Sequence, residues 1–219
     1  MLALSAVAER KLTRFRNALL EMEEGGRGLK NQSEMLKRIG EAMDNAIAEH
    51  GKRAGSLAFY TALKMGAGTD DAYKLFWCGL LHDACKMFVN GNFIEKPHKL
   101  EQEEMEEVRM HVRIVHLVAD RVKWLAGVED AMRYHHENWD GSGYPNGLKG
   151  EEIPLAARIV GVVDAFDAMV DGKREYKKPL DYDEAIAELE RASGTQFDPN
   201  VVRAFVEMFG ERNEAQKAE

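Results

Sequence analysis

No apolar run in this 219-residue chain approaches the roughly 20 residues needed to cross a bilayer. The opening stretch, MLALSAVAERKLTRF, lacks a basic segment before its short apolar part, which meets charge at Glu9. It reads as neither a signal peptide nor an anchor, so no membrane partner is expected. Cysteine is scarce. Cys78 and Cys85 are too few for a disulfide scaffold, and a cytoplasmic protein is the simplest expectation. An excess of positive charge is also missing. A formal net charge of -8 leaves no broad basic face of the kind that grips duplex nucleic acid. A small phosphate-bearing ligand stays open, because a bound divalent cation can make one site positive on an acidic protein. Alternating strand patterns, long β-branched runs, internal repeats and low-complexity segments are absent as well.

What is present is helical periodicity over a length that suits one domain with a sizeable core. Leu4, Val7, Leu12, Phe15, Leu19 and Met22 give a first helix over about 2–23, ending near Gly25, Gly26 and Gly28. It could pair with a second copy of the chain or pack on the domain. A second helix is expected from Ser33 to Met65 with a break near Gly51, and a third from Asp70 to Val89. Met105, Val108, Val112, Val115, Ala119 and Val122 fall at spacings of three and four, one continuous face of a fourth helix. A shorter helix ends near Tyr134. After a glycine-rich loop, Pro154 opens the next helix. Its stripe is Leu155, Ile159, Val162, Phe166 and Met169. Helices at about Tyr182–Ser193 and Pro199–Phe209 follow, then a polar, frayed tail. The fold class is all-α.

The chemistry-bearing residues are histidines and aspartates. Imidazole and carboxylate are the usual ligands of iron, manganese, zinc and nickel in hydrolytic sites. Two adjacent pairs stand out, His82-Asp83 and His135-His136. His82-Asp83 follows Leu75, Phe76, Trp77, Leu80 and Leu81, and a carboxylate buried there needs something positive beside it. Asp164 lies off its helix's apolar stripe, on a flank of small residues (Ala157, Gly161, Ala168) that lets another element approach. Read alone, Asp164 in its apolar surroundings leaves a solvent-facing place as the lesser reading, His111 could be a packed boundary residue, and Lys86 a solvated lysine. His116 and His98 are left as structural or surface residues.

The segment HHENWDGSGYPNGLKGEEIPLAARIVGVVDAFDAM, with LLHDACK upstream and GTQFDPNVVRAF downstream, resembles the HD-GYP family of HD-domain phosphohydrolases over about Lys37–Phe209. The resemblance implies an HD-domain helical bundle at 37–210, preceded by an N-terminal helical extension at 1–36 and followed by the tail at 211–219. It implies two divalent transition metals, iron foremost with manganese or others as substitutes. His50, His82 and Asp164 would hold one, His111, His135 and His136 the other, with Asp83 bridging. It implies hydrolysis of cyclic di-GMP to linear pGpG or GMP by a hydroxide shared between the metals, with Asp83 and Lys86 as the catalytic pair and Lys86 at the scissile phosphate. Gly143, Tyr144 and Pro145 would shape the substrate pocket, and Arg174 and Lys177, in KREYKK, would hold the dinucleotide. A signalling protein could dock on the GYP loop.

Four departures from the family pattern bear on these expectations. Cys85 replaces a glycine. Ala46 stands where a third metal would need a glutamate, which favours two ions. The approach to His50 lacks the usual turn. KREYKK is one residue longer than the family's usual segment, so Lys173 can stand in for Arg174. Two other readings remain: a cyclic dinucleotide sensor or interaction module without turnover, and a hydrolase of another cyclic dinucleotide.

Overall fold

The computed structural model describes residues 5–24, 29–89, 101–120, 127–172 and 178–217. Among them there is no strand, only an isolated bridge between Ser193 and Phe197. The helices are α1 (Ala6–Glu24), α2 (Leu29–Ala42), α3 (Asn45–Lys64), α4 (Thr69–Leu81), α5 (Gln102–Arg113), α6 (His116–Ala119), α7 (Glu129–Tyr134), α8 (Leu155–Val170), α9 (Tyr182–Arg191) and α10 (Pro199–Lys217), with 3-10 turns at Ala84–Phe88 and Gly150–Glu152. No helix among the described residues is long and apolar enough to cross a membrane.

Two apolar clusters share α3 and α8. One gathers Phe15, Leu19, Ile39, Ile47, Leu81, Phe88, Met132 and Val160. The other gathers Ala54, Ile159, Val162, Phe166, Leu189, Val201 and Phe205. Along α3, His50 falls between Ala48 of the first cluster and Ala54 of the second, so the residue that matters chemically is framed by packed core on both sides. The N-terminal helix packs on the domain: Leu12, Phe15 and Leu19 are buried, and the Phe15 and Phe88 rings lie 6.1 Å apart.

Several expected boundaries move. The break in the second helix comes at Met43-Asp44, not at Gly51. Gly51 sits inside α3 because α4 crosses there: a methyl carbon on it would lie 2.3 Å from the Leu80 carbonyl oxygen. The glycine marks a close helix crossing, which a single sequence cannot tell from a break. The third helix ends at Leu81. Asp83 then takes φ -98° and ψ 1°, the sparsely allowed bridge region common at active sites. The fourth helix breaks at Ile114-Val115, and along its expected face Met105 is 36% exposed while Val112, Val115 and Val118 are buried. Leu155, placed on the apolar stripe of α8, is 46% exposed. The expected boundary at 36/37 falls within α2, and helix α10 continues past Gly210 through the expected tail to Lys217. Val122, His98, Lys173, Arg174 and Lys177 lie outside the described residues.

Candidate metal centre

Six elements deliver their polar side chains to one place. His50 comes from α3, His82 and Asp83 from the turn after α4, Lys86 from the 3-10 turn, His111 from α5, His135 and His136 from the end of α7, and Asp164 from α8. They form two groups whose potential ligand atoms lie within 4.8 Å of one another: His50, His82, Asp83 and Asp164, and Asp83, His111, His135 and His136.

Each group has its own internal geometry. In the first, the Nε2 atoms of His50 and His82 are 3.2 Å apart, and Asp164 Oδ1 is 3.0 Å from His50 and 3.5 Å from His82. In the second, the Nε2 atoms of His111 and His135 are 3.5 Å apart, and the His136 ring lies 4.0 Å from that of His135. Asp83 joins the two. Its Oδ1 lies 3.4 Å from His111 and 3.6 Å from His135, while its Oδ2 lies 3.5 Å from His82 and 3.9 Å from His50. Lys86 places its ammonium on the same Oδ2.

The ring nitrogens that face inward are set by what the outward ones do. Nδ1 of His82, His111 and His135 donates to the carbonyls of Gly79 at 2.7 Å, Val108 at 2.6 Å and Ala131 at 3.0 Å. A carbonyl only accepts, so Nδ1 carries a proton, and in the neutral ring that a metal requires Nε2 keeps its lone pair. His50 does the same through the Asp167 carboxylate, 2.7 Å away. With the rings neutral, lone pairs of two nitrogens pointed at each other over 3.2–3.5 Å repel unless something positive, a proton or a cation, lies between them.

Electrostatics differ between the groups. Burial pulls the His82 pKa down, but Asp83 and Asp164 outweigh it and lift it to about 10. Burial likewise opposes a raised pKa at His50, where hydrogen bonds to Asp164 and Asp167 prevail. Burial would raise the Asp83 and Asp164 pKa values, yet Lys86 and the histidines hold Asp83 well below the carboxylate range, and His50 and His82 do so for Asp164. In the second group burial pushes His111 down to about 3, and His135 and His136 down as well, so these three stay neutral.

These residues fit a pair of cations. Asp83 Oδ1 is buried and has no hydrogen-bond partner, a costly state for a carboxylate oxygen. Three neutral imidazoles of the second group surround it, and nitrogen with carboxylate oxygen is a donor set that suits iron, manganese or zinc. At the position where a third ion would need a glutamate, Ala46 supplies no carboxylate, and Glu49 is exposed with its carboxylate on Lys52, 2.7 Å away.

The glycine-rich loop closes one side. Glu137, buried, accepts the amides of Asn146 at 2.7 Å and Leu148 at 3.0 Å. Trp139 N and Asp140 N donate to the carbonyls of Gln196 and Thr195 at 3.1 and 2.8 Å. Arg158 Nη1 donates to Asp198 at 2.6 Å, which ties α8 to the start of α10. Gly143 fits because nothing larger can: a methyl carbon there would lie 2.2 Å from Asn138 N. The Tyr144 ring stacks on His136 with centroids 4.8 Å apart, and the Arg109 guanidinium lies over it at 4.9 Å. A cleft of about 300 Å³ opens between this loop and the small-residue flank of α8, where Gly161 lies against the His135 carbonyl. A larger open groove of about 950 Å³ between α1 and α2 holds none of the clustered ligands. Glu137→Ala is expected to leave the two loop amides unpaired. Two lost charge-assisted hydrogen bonds are worth about 1.5–3 kcal/mol each. Amide exchange at Asn146 and Leu148 should quicken at least about tenfold, with no loss of protection at Ala131.

Asp164 thus faces the cluster, and His111 is a buried cluster member, which their helical patterns alone could not decide. His116 is exposed, as expected. Cys85 is buried, and burial lifts its thiol pKa to about 12, so it stays a neutral core thiol beside the site. Glu137, Arg158 and Asp167 lie within the HHENWDGSGYPNGLKGEEIPLAARIVGVVDAFDAM segment, but their residue types alone mark no task there. Arg53 carried no signal beyond lying one turn after His50.

Comparison with known proteins shows the family. A model of the HD domain family matches residues 34–201. A cyclic di-GMP phosphodiesterase of Thermotoga maritima is 38% identical over 178 residues, covering 80% of this chain and 48% of that protein. A cyclic di-GMP phosphodiesterase response regulator of Xanthomonas campestris pv. campestris is 34% identical over 204 residues, covering 92% of this chain and 53% of that one. The chain therefore spans about half the length of these curated relatives. Among solved structures, an HDG"Y"P protein from Bdellovibrio bacteriovorus superposes with a TM-score of 0.62 at 17% identity, covering 93% of this chain and 64% of that one, a likeness of fold.

Proposed function

This chain belongs to the HD domain family, in its HD-GYP branch, and from that premise we propose that it is a metal-dependent phosphodiesterase of cyclic dinucleotides, cyclic di-GMP first among them. One observation carries the reading. The two oxygens of a single buried carboxylate, Asp83, face two different histidine groups. His50, His82 and Asp164 would hold one divalent ion and His111, His135 and His136 the other, with Asp83 between them. Iron is the first choice and manganese the substitute. Bound there, the pair would supply Lewis acidity to a phosphoryl group and make water nucleophilic at neutral pH.

The chain's own groups do the rest. Water adds to phosphorus and the P–O3′ bond breaks, giving a 5′-phosphate and a 3′-hydroxyl, the linear pGpG, with GMP after a second round. Lys86, partly exposed beside Asp83, offers its ammonium to the phosphoryl oxygens as charge builds there. The Gly143-Tyr144-Pro145 loop walls the cleft, and its ring pinned on His136 keeps that wall in register with the site. Arg174 and Lys177 are the basic pair proposed to hold the dinucleotide.

The test is incubation of reduced, iron- or manganese-loaded protein with cyclic di-GMP and separation of products. Linear dinucleotide or GMP should form, stop on chelation, and resume when metal is returned. Tight nucleotide binding with no turnover would make the chain a sensor instead, and equal turnover after chelation would remove the metals from the reaction.

A further inference from the structure

Three of the five clustered histidines lean on the backbone. His82, His111 and His135 donate to carbonyls within their own helical turns, contacts that no substitution of a partner side chain can delete. His136 stacks on the Tyr144 ring, and His50 leans on a side-chain carboxylate. Its Nδ1 lies 2.7 Å from Oδ2 of Asp167, one turn beyond Asp164 on α8.

Asp167 is in turn fixed. Arg53, one turn after His50 on α3, donates through Nε to Oδ1 and through Nη2 to Oδ2, both at 2.7 Å. This is the two-pronged geometry that a guanidinium makes and an ammonium does not. A longer contact of 3.4 Å joins Nη2 to Asp171, a further turn along α8. Asp167 is 5% exposed and Arg53 39% exposed, so the carboxylate is buried while its clamp reaches the surface. The two helices thus face each other as a ladder, His50 and Arg53 on one, Asp164, Asp167 and Asp171 on the other.

From this geometry we infer that Asp167 is a positioning residue, clamped by Arg53, that fixes the tautomer and the ring orientation of His50 and so tunes one of the two metal positions and not the other. The inference rests on the two-metal reading above. It assigns the Arg53-Asp167 pair a task that a mere link between α3 and α8 would not have. A carboxylate behind a ligating imidazole keeps the proton on Nδ1, aims Nε2 and raises its basicity, and losing such a partner typically costs about 10–100-fold in metal affinity.

The experiment is titration of metal-free protein with manganese(II), read as free manganese by electron paramagnetic resonance, so no turnover is required. The unaltered chain should bind two ions. Asp167→Asn should weaken one of them by about 10–100-fold and leave the other unchanged. Arg53→Gln, at a partly exposed side chain, should weaken the same ion by a smaller factor, and should add nothing in the Asp167→Asn background. Should Asp167→Asn fail to fold, Arg53→Gln alone decides. Two ions bound as tightly as before would overturn the inference. So would equal weakening of both together with a lowered melting temperature, which would make the pair a structural link. An unaltered chain that binds no pair of ions would instead defeat the underlying reading, before any variant is compared.

Discussion

Asp83→Asn is expected to cut cyclic dinucleotide hydrolysis by on the order of 10³-fold or more, in a chain that still folds. The substitution keeps shape and removes charge. An amide offers one oxygen and one NH2 group, so it can serve one histidine group but not both. Oδ1 and Oδ2 of Asp83 now divide between His111 and His135 on one side and His50 and His82 on the other. Lys86 also loses the carboxylate that holds its ammonium beside the site. Metal bound per chain should fall below two. His111→Ala is the comparison: it touches one group only and should leave the ion of the other in place. Steady-state rates beside metal analysis check both. An Asp83→Asn enzyme within tenfold of the original rate would remove the bridging role.

Gly51→Ala is expected to damage both stability and rate, although alanine is the better helix former. The added carbon would stand 2.3 Å from the Leu80 carbonyl oxygen and 3.1 Å from its carbonyl carbon, backbone that cannot rotate away. Helices α3 and α4 must move apart, at a cost of at least about 1–3 kcal/mol. The crossing is also where the site is built. His50 precedes Gly51, and His82 lies two residues after Leu80, so separation shifts one member of the 3.2 Å His50–His82 pair against the other. A misplacement of about 1 Å can cost about 10²-fold in rate. Gly40→Ala gives the opposite sign. Nothing lies within 4 Å of a methyl there, so helix propensity alone should stabilise by about 0.8–1 kcal/mol. Urea unfolding of the two variants separates the effects.

Much of this site was legible because its residues are marked by chemistry as well as by position. A histidine-aspartate pair after an apolar stretch and a second histidine pair before a glycine-rich loop are unusual enough to read directly. The family resemblance then divided the seven ligand candidates into the two groups that the helices bring together. What stayed hidden is tertiary. Gly51 looked like a break because sequence carries no sign of the helix crossing it. Asp83 looked helical because the bridge conformation that turns its carboxylate inward follows from packing, not propensity. Asp167 sat inside the recognised motif, but its task depends on Arg53, 114 residues away, and on a face of α3 that periodicity did not single out. The division into an N-terminal extension and a domain is blurred by the same cause: Phe15 and Leu19 bury into the core that supports Phe88 and Met132.

The most direct test of a two-metal site built on one shared carboxylate is metal content measured alongside turnover. Protein purified under reducing conditions should carry about two transition-metal ions per chain. Stripping both should abolish cyclic di-GMP hydrolysis, and restoring one should not restore the full rate. Full activity in metal-free protein, or saturation at a single ion with the full rate, would contradict the account.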